Sequence, residues 1–333
     1  MSLARYVVSR ILQSIPVLLG VATITFFLTH SIPGNPVKIM LGPSPSAAQA
    51  HAIEAKYGLN QPVYVQYGKY LWNLAHLDMG QSIHYQTSVT TKIAQRLPVT
   101  LVLLVSAFAL ALVVAIPLGV LSAQRRNRPT DHVSRVTSLV GVSTPDFWIG
   151  LILITAFAFY LGWLPATGLV MPWADPANVE HASDRLGVVV QYLRHVIMPA
   201  ITLGTLQMAA VTRIERSSML EVLSQDYVKL ARAYGVRERT ILRRHAFKNA
   251  QLPVITIIGL QLTAALGGAV LTETVFSIHG MGRLIITAVQ NQDYPLIMGT
   301  TLYFALMFVV GVIITDVSYA YIDPRVSYGE EST

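Results

Sequence analysis

The chain has 333 residues, 53% of them hydrophobic and 12% charged, with a formal net charge of +7. A soluble domain would carry about twice that share of charge, so the composition excludes a soluble globular enzyme and points to a polytopic membrane protein. The absence of cysteine excludes a disulfide framework and a thiolate metal site, and the basic residues gather at the edges of apolar runs, which fits membrane topology rather than a nucleic-acid-binding face.

Taken in order, Ile11 to Leu28 is apolar and follows Arg5 and Arg10. A removable signal peptide is the rival reading, but the Ala48-Gln49-Ala50 candidate lies well beyond the apolar core. The sequence therefore predicts an uncleaved N-terminal transmembrane helix over 1–30, starting inside. Residues 31–97 are mixed, with turn signals at Pro33-Gly34-Asn35-Pro36, at Pro43 to Pro45 and at Asn60-Gln61-Pro62. They read as an external helical segment whose Tyr64, Tyr67, Tyr70 and Trp72 suit a membrane interface. Val99 to Leu121 is an uncharged run of 23 residues, about 34 Å long as a helix. Arg125, Arg126, Arg128 and Arg135 follow it and mark a cytoplasmic turn.

Further spans are predicted within 139–163, interrupted at Pro145-Asp146, and over 195–212, 253–276 and 296–319. Residues 98–321 form the core of this layout and 322–333 a cytoplasmic tail. The layout places 16 of the 24 Lys and Arg residues on the cytoplasmic side. Five of the remaining eight sit in the long 31–97 segment, where long loops escape the charge rule. Both termini are then inside, and the fold class is all-α with six transmembrane helices.

The stretch 213–252 is the one long polar interruption, with nine Lys or Arg and four Asp or Glu. Burying those charges in hydrocarbon would cost more than about 30 kcal/mol at roughly 2.5 to 3.5 kcal/mol each, so the stretch lies in water or at the interface. Met219, Leu220, Leu223, Tyr227, Leu230, Ala231 and Tyr234 recur at helical spacing, and Gly235 suits a helix C-terminus. Read from composition alone, this is an ordinary basic loop that fixes orientation.

The residues Arg216 to Leu223, Asp226-Tyr227-Val228, Ala231-Arg232-Ala233, Gly235, Asn249-Ala250 and Leu252-Pro253 resemble the cytoplasmic loop of ABC-transporter permeases of the dipeptide, oligopeptide and nickel importer type. Lys229-Leu230-Ala231 stands where the wider superfamily has Glu-Ala-Ala, and Leu252-Pro253 falls five residues later than the superfamily register; both departures are typical of the peptide branch. The resemblance extends to Ile32 to Pro36, Tyr57 to Pro62, Leu77-Asp78-Met79-Gly80-Gln81-Ser82, and the pattern of Ser143, Pro145, Phe147 and Gly150. Asn35, Met79 and His279 replace the family's usual Asp, Leu and Pro.

The resemblance implies a type I ABC importer permease fold in the cytoplasmic (inner) membrane. It implies as partners two ATP-binding subunits, a second homologous permease and an extracytoplasmic solute-binding protein, with a di- or oligopeptide as substrate. Asp226, Tyr227, Ala231, Arg232 and Gly235 would couple the loop to an ATP-binding subunit. Glu273 would serve as a gate or pore rim, against the reading of an interfacial carboxylate hydrogen-bonded at a helix end. Asp146 and Asp316 are read as structural or cavity-lining acids.

No phosphate-binding Gly-x-x-x-x-Gly-Lys-Ser/Thr, no His-Glu-x-x-His and no Gly-x-Ser-x-Gly is present. No cofactor is expected, and energy must arrive from a partner. Nickel chelates, glutathione and oligosaccharides are alternative cargoes. A stand-alone secondary transporter would call for inverted repeats with paired broken helices, and an intramembrane enzyme for a nucleophile and its base; neither pattern is found.

Overall fold

The computed structural model describes residues 3–31, 41, 45–58 and 60–322; the turn signals at Pro33 to Pro36 and at Pro43, and the tail from Asp323 onward, lie outside them. The described residues are mostly helical, with one isolated antiparallel bridge between Gln81 and Ser88. In chain order the helices are α1 (Leu3–Ser31), α2 (Ala47–Tyr57), α3 (Val63–Ala75), α4 (Val89–Gln124), α5 (Pro129–Ser143), α6 (Asp146–Leu153), α7 (Arg185–Leu223), α8 (Asp226–Ala233), α9 (Phe247–Val275), α10 (Met281–Gln290) and α11 (Tyr294–Ile322).

Local chemistry sets the helix ends. Ser46 and Gln49 form a reciprocal capping box on α2, and Gly58 closes that helix at φ +68°. Ser88 accepts the Thr91 N–H at 3.1 Å to start α4, and Asp184 accepts the Gly187 N–H at 2.8 Å to start α7. Thr144, extended ahead of Pro145, ends α5 because a residue before proline is disfavoured in helix.

Four helical stretches are long and apolar enough to cross a membrane: Val7–Ser31, Val89–Gln124, Arg185–Leu223 and Tyr294–Ser318. The pair of α5 with α6 and its π-helical extension to Tyr160 passes the same test together, bent by 105° at the Ser143 to Asp146 break. The sequence expectation of a span within 139–163 thus meets a broken helix that begins at Pro129, ahead of the apolar run. α9, 29 residues long and uncharged from Asn249 to Thr272, is about 43 Å in length and completes six spans in an all-α polytopic fold.

The chain forms two compact units. The larger comprises Leu101–Ile278 with the described parts of Met1–Arg10 and Phe308–Thr333. Small residues let its helices approach closely. A Cβ on Gly204 of α7 would lie 3.0 Å from the Ala107 carbonyl of α4, and one on Gly119 of α4 would lie 2.6 Å from the Glu215 side chain of α7. Ala115, Val211 and Val254 join α4, α7 and α9 in one apolar cluster, and Ala123, Met219, Ala246 and Ala250 form another nearer the polar stretch. Asp316 meets Arg10 at 3.0 Å, a structural pairing.

The smaller unit comprises Ile11–Thr100 and His279–Met307. Its core gathers Val89, Ile93, Met281, Leu284, Leu296 and Ile297. Asp293, fully buried, caps α11 through the Leu296 N–H at 3.2 Å and also accepts from Ser82 Oγ at 2.5 Å and the His84 N–H at 3.0 Å. The stretch ending at Ser82, singled out in the sequence, is therefore fastened to the start of α11.

Candidate coupling surface

The polar stretch is not a loop hung between two spans. α7 continues through Arg213 to Leu223, and its Met219 is fully buried. The chain then breaks at Ser224 and Gln225, whose N–H groups bond back to Glu221 and Val222 carbonyls at 3.1 Å. α8 starts at Asp226. The single apolar stripe expected over residues 219–234 is thus divided: Met219, Leu220 and Leu223 belong to the end of α7, and Tyr227, Leu230 and Tyr234 to α8 and its cap.

α8 is held by its C-terminal geometry. Gly235, at φ +74°, donates to the Arg232 carbonyl at 2.9 Å, and Val236 donates to the Ala231 carbonyl at 3.1 Å. This is a Schellman motif, which needs a residue tolerant of the left-handed region after the helix. No neighbouring atom would meet a Cβ there, so the demand for glycine comes from the backbone angle alone. Arg232 then reaches forward to Glu238 with two hydrogen bonds, Nε at 3.2 Å and Nη2 at 2.8 Å. That guanidinium holds the Glu238 carboxyl below the usual range, and Lys229 does the same for Asp226. On the inner side, Val228 is fully buried. Asn249 Nδ2 donates to Tyr227 Oη and to the His245 carbonyl, both at 2.9 Å, and so ties α8 to the helical stretch leading into α9.

The outward side carries Tyr227, Leu230 and Tyr234 at 42, 57 and 80% exposure. Asp226, Lys229 and Arg232 surround them, also exposed. An aromatic and aliphatic patch ringed by charges, on a short helix pinned from beneath, has the form of a helix that lies in a partner's groove. Asp226, Tyr227, Ala231, Arg232 and Gly235 come together on this one element. Glu273 does not join them. It sits in the last turn of α9, at the end away from the polar stretch, and is fully buried within the chain.

A second feature was not singled out from the sequence. Asp131, at the start of α5, is fully buried and accepts Arg216 Nε at 2.6 Å and Nη2 at 2.8 Å. Ser122 Oγ at 2.6 Å and the Asn127 N–H at 3.0 Å complete its shell. The preceding residue on α7, Glu215, is fully buried and takes both oxygens to Gln251 Nε2 at 3.2 and 3.1 Å. Consecutive α7 residues therefore clasp the α4–α5 turn on one side and α9 on the other, about two turns before α7 ends at Leu223. Only a run of basic residues beside one Asp hinted at this in the sequence, because the partners stand 85 positions apart.

Residues 115–328 match the family described as binding-protein-dependent transport system inner membrane component, and residues 3–104 match the N-terminal part of such membrane components. The chain belongs to this family. As an inner membrane component it keeps company with transport permease subunits at full length. It is 42% identical, over 98% of its length and 100% of the relative's, to the oligopeptide transport system permease protein AppB of Bacillus subtilis. It is 40% identical to the dipeptide transport system permease protein DppB of Alkalihalophilus pseudofirmus, covering 97% of this chain and 99% of that one. It is also 40% identical, over 94% of each chain, to the probable D,D-dipeptide transport system permease protein DdpB of Escherichia coli. In this membrane component, α8 and the Asp131–Arg216 clasp both fall within the 115–328 match.

Proposed function

We propose that this permease moves di- or oligopeptides inward across the cytoplasmic membrane as one half of a two-permease pore, performing no bond chemistry itself. Two ATP-binding subunits supply the work, and an extracytoplasmic solute-binding protein delivers the cargo. Both termini and the 213–252 stretch face the cytoplasm, in keeping with the basic excess there. The full-length likeness to relatives named for oligopeptide and dipeptide transport supports the cargo class.

The observation that carries the coupling assignment is α8, which buries Val228 while presenting Tyr227, Leu230 and Tyr234 outward. α8 docks in a groove of an ATP-binding subunit, with Asp226, Tyr227, Ala231 and Arg232 at the contact and Gly235 fixing the helix end. Closure of the ATP-binding dimer pushes α8, and the clasp at Glu215 and Arg216 carries that push into α4, α5 and α9. Co-purification tests this: the ATP-binding subunits should accompany the wild-type chain in mild detergent, and far less so a Leu230→Asp, Tyr234→Asp chain. Equal recovery of both would remove α8 as the contact.

Glu273 is assigned to a gate or pore rim by its burial near the α9 terminus. Glu273→Gln should alter peptide uptake without altering assembly; uptake at the wild-type rate and affinity would leave it a structural carboxylate.

A further inference from the structure

Between α5 and α7, beside the Asp131–Arg216 clasp, lies a cavity of about 540 Å³. Its polar end is basic. Arg135, Arg213, Arg216 and His132 line it, and no Asp or Glu does. Asp131 already engages Arg216. Among the described residues, no ion pair is formed by the exposed Arg135 and Arg213.

A second observation is independent of charge. Ser134 also lines the cavity, is only 7% exposed, and its Oγ has no hydrogen-bond partner. A buried hydroxyl ordinarily finds one, so this donor is held ready for an acceptor that enters the cavity. The third observation is the other end of the same groove. Val136, Leu139 and Val142 run along α5 at 60, 66 and 38% exposure, leading away from the arginines along a helix that belongs to a membrane span.

We propose that this cavity binds an anionic phospholipid. Arg135 and Arg213 grip the phosphate, the fork of each guanidinium matching phosphate oxygens. Ser134 Oγ–H donates to a third oxygen, and an acyl chain lies along Val136, Leu139 and Val142. A basic pocket between transmembrane helices suits such a headgroup. Inorganic phosphate shares the headgroup chemistry but would leave the apolar strip uncovered, which is why the lipid is chosen. The site requires neither the coupling role of α8 nor the peptide cargo.

The test is lipid retention by the purified transporter complex after reconstitution into vesicles of phosphatidylcholine with a minor fraction of phosphatidylglycerol or cardiolipin, followed by detergent exchange. Native mass spectrometry counts the bound lipid. Wild type should hold anionic lipid and exclude phosphatidylcholine. Arg135→Gln with Arg213→Gln should weaken retention on the order of tenfold, and Ser134→Ala should weaken it less. The control, Arg125→Gln with Arg126→Gln, removes equal charge from the exposed α4–α5 turn and should retain lipid as wild type does. Equal loss in both double variants would mean a non-specific basic surface and would overturn the site. Displacement by millimolar inorganic phosphate would overturn the lipid in favour of a free anion. Loss of the second permease from the Arg135, Arg213 variant with lipid retention unchanged would make the groove a protein interface instead.

Discussion

Asp131 and Arg216 decide how the α4–α5 turn is attached to α7. A buried carboxylate with four donors around it is held by geometry rather than by net Coulombic gain, since desolvation offsets much of the attraction. Removing one partner is a different matter, because it strands the other charge. Asp131→Ala should therefore destabilise the larger unit by about 3 kcal/mol, seen as a fall in thermal unfolding temperature of the detergent-solubilised complex. The double change Asp131→Leu, Arg216→Met should recover most of that stability. If the clasp also transmits motion, the recovered double variant will still hydrolyse ATP while moving less peptide per ATP. A double variant with wild-type coupling would reduce the clasp to a structural fastening.

At the scale of elements, α8 depends on how it ends. Gly235 must hold φ at +74° and donate its N–H to Arg232. Proline can do neither, whereas asparagine tolerates the left-handed region. Gly235→Pro should leave the complex assembled or weakened but abolish ATP-driven uptake, and Gly235→Asn should transport close to normally. Uptake and ATPase assays on the same vesicles check both, and normal uptake by the proline variant would contradict the role given to α8.

This element also shows what could be read in advance. Gly235 was legible as a helix terminator because its chemistry is local. The extent of α8 was not: a two-residue break at Ser224 and Gln225 preserves the spacing of apolar residues, so the end of α7 and all of α8 looked like one stripe. The bend at Pro145 was marked by the proline, but the start of α5 at Pro129 was hidden among polar residues. The clasp was invisible because no short-range pattern links Asp131 to Arg216.

Across the whole molecule, the apolar helices suit an inner membrane component of a transport system, and the proposed docking of α8 would let it draw energy from outside its own chain. Hydropathy made the helical, polytopic architecture readable because the membrane imposes apolar helices on every crossing. Cargo and partners are another matter, since their specificity resides in surfaces that meet other chains.

Because the chain has no cysteine, Tyr234→Cys supplies a single reporter at the exposed tip of α8, and the most direct measurement uses it in the assembled complex. In inside-out vesicles a membrane-impermeant maleimide should label it, in right-side-out vesicles it should be protected, and a bifunctional reagent should join it to an ATP-binding subunit with an efficiency that changes when ATP is added. Labelling from the outer face, or cross-linking to no ATP-binding subunit under any nucleotide condition, would contradict a cytoplasmic handle driven by ATP.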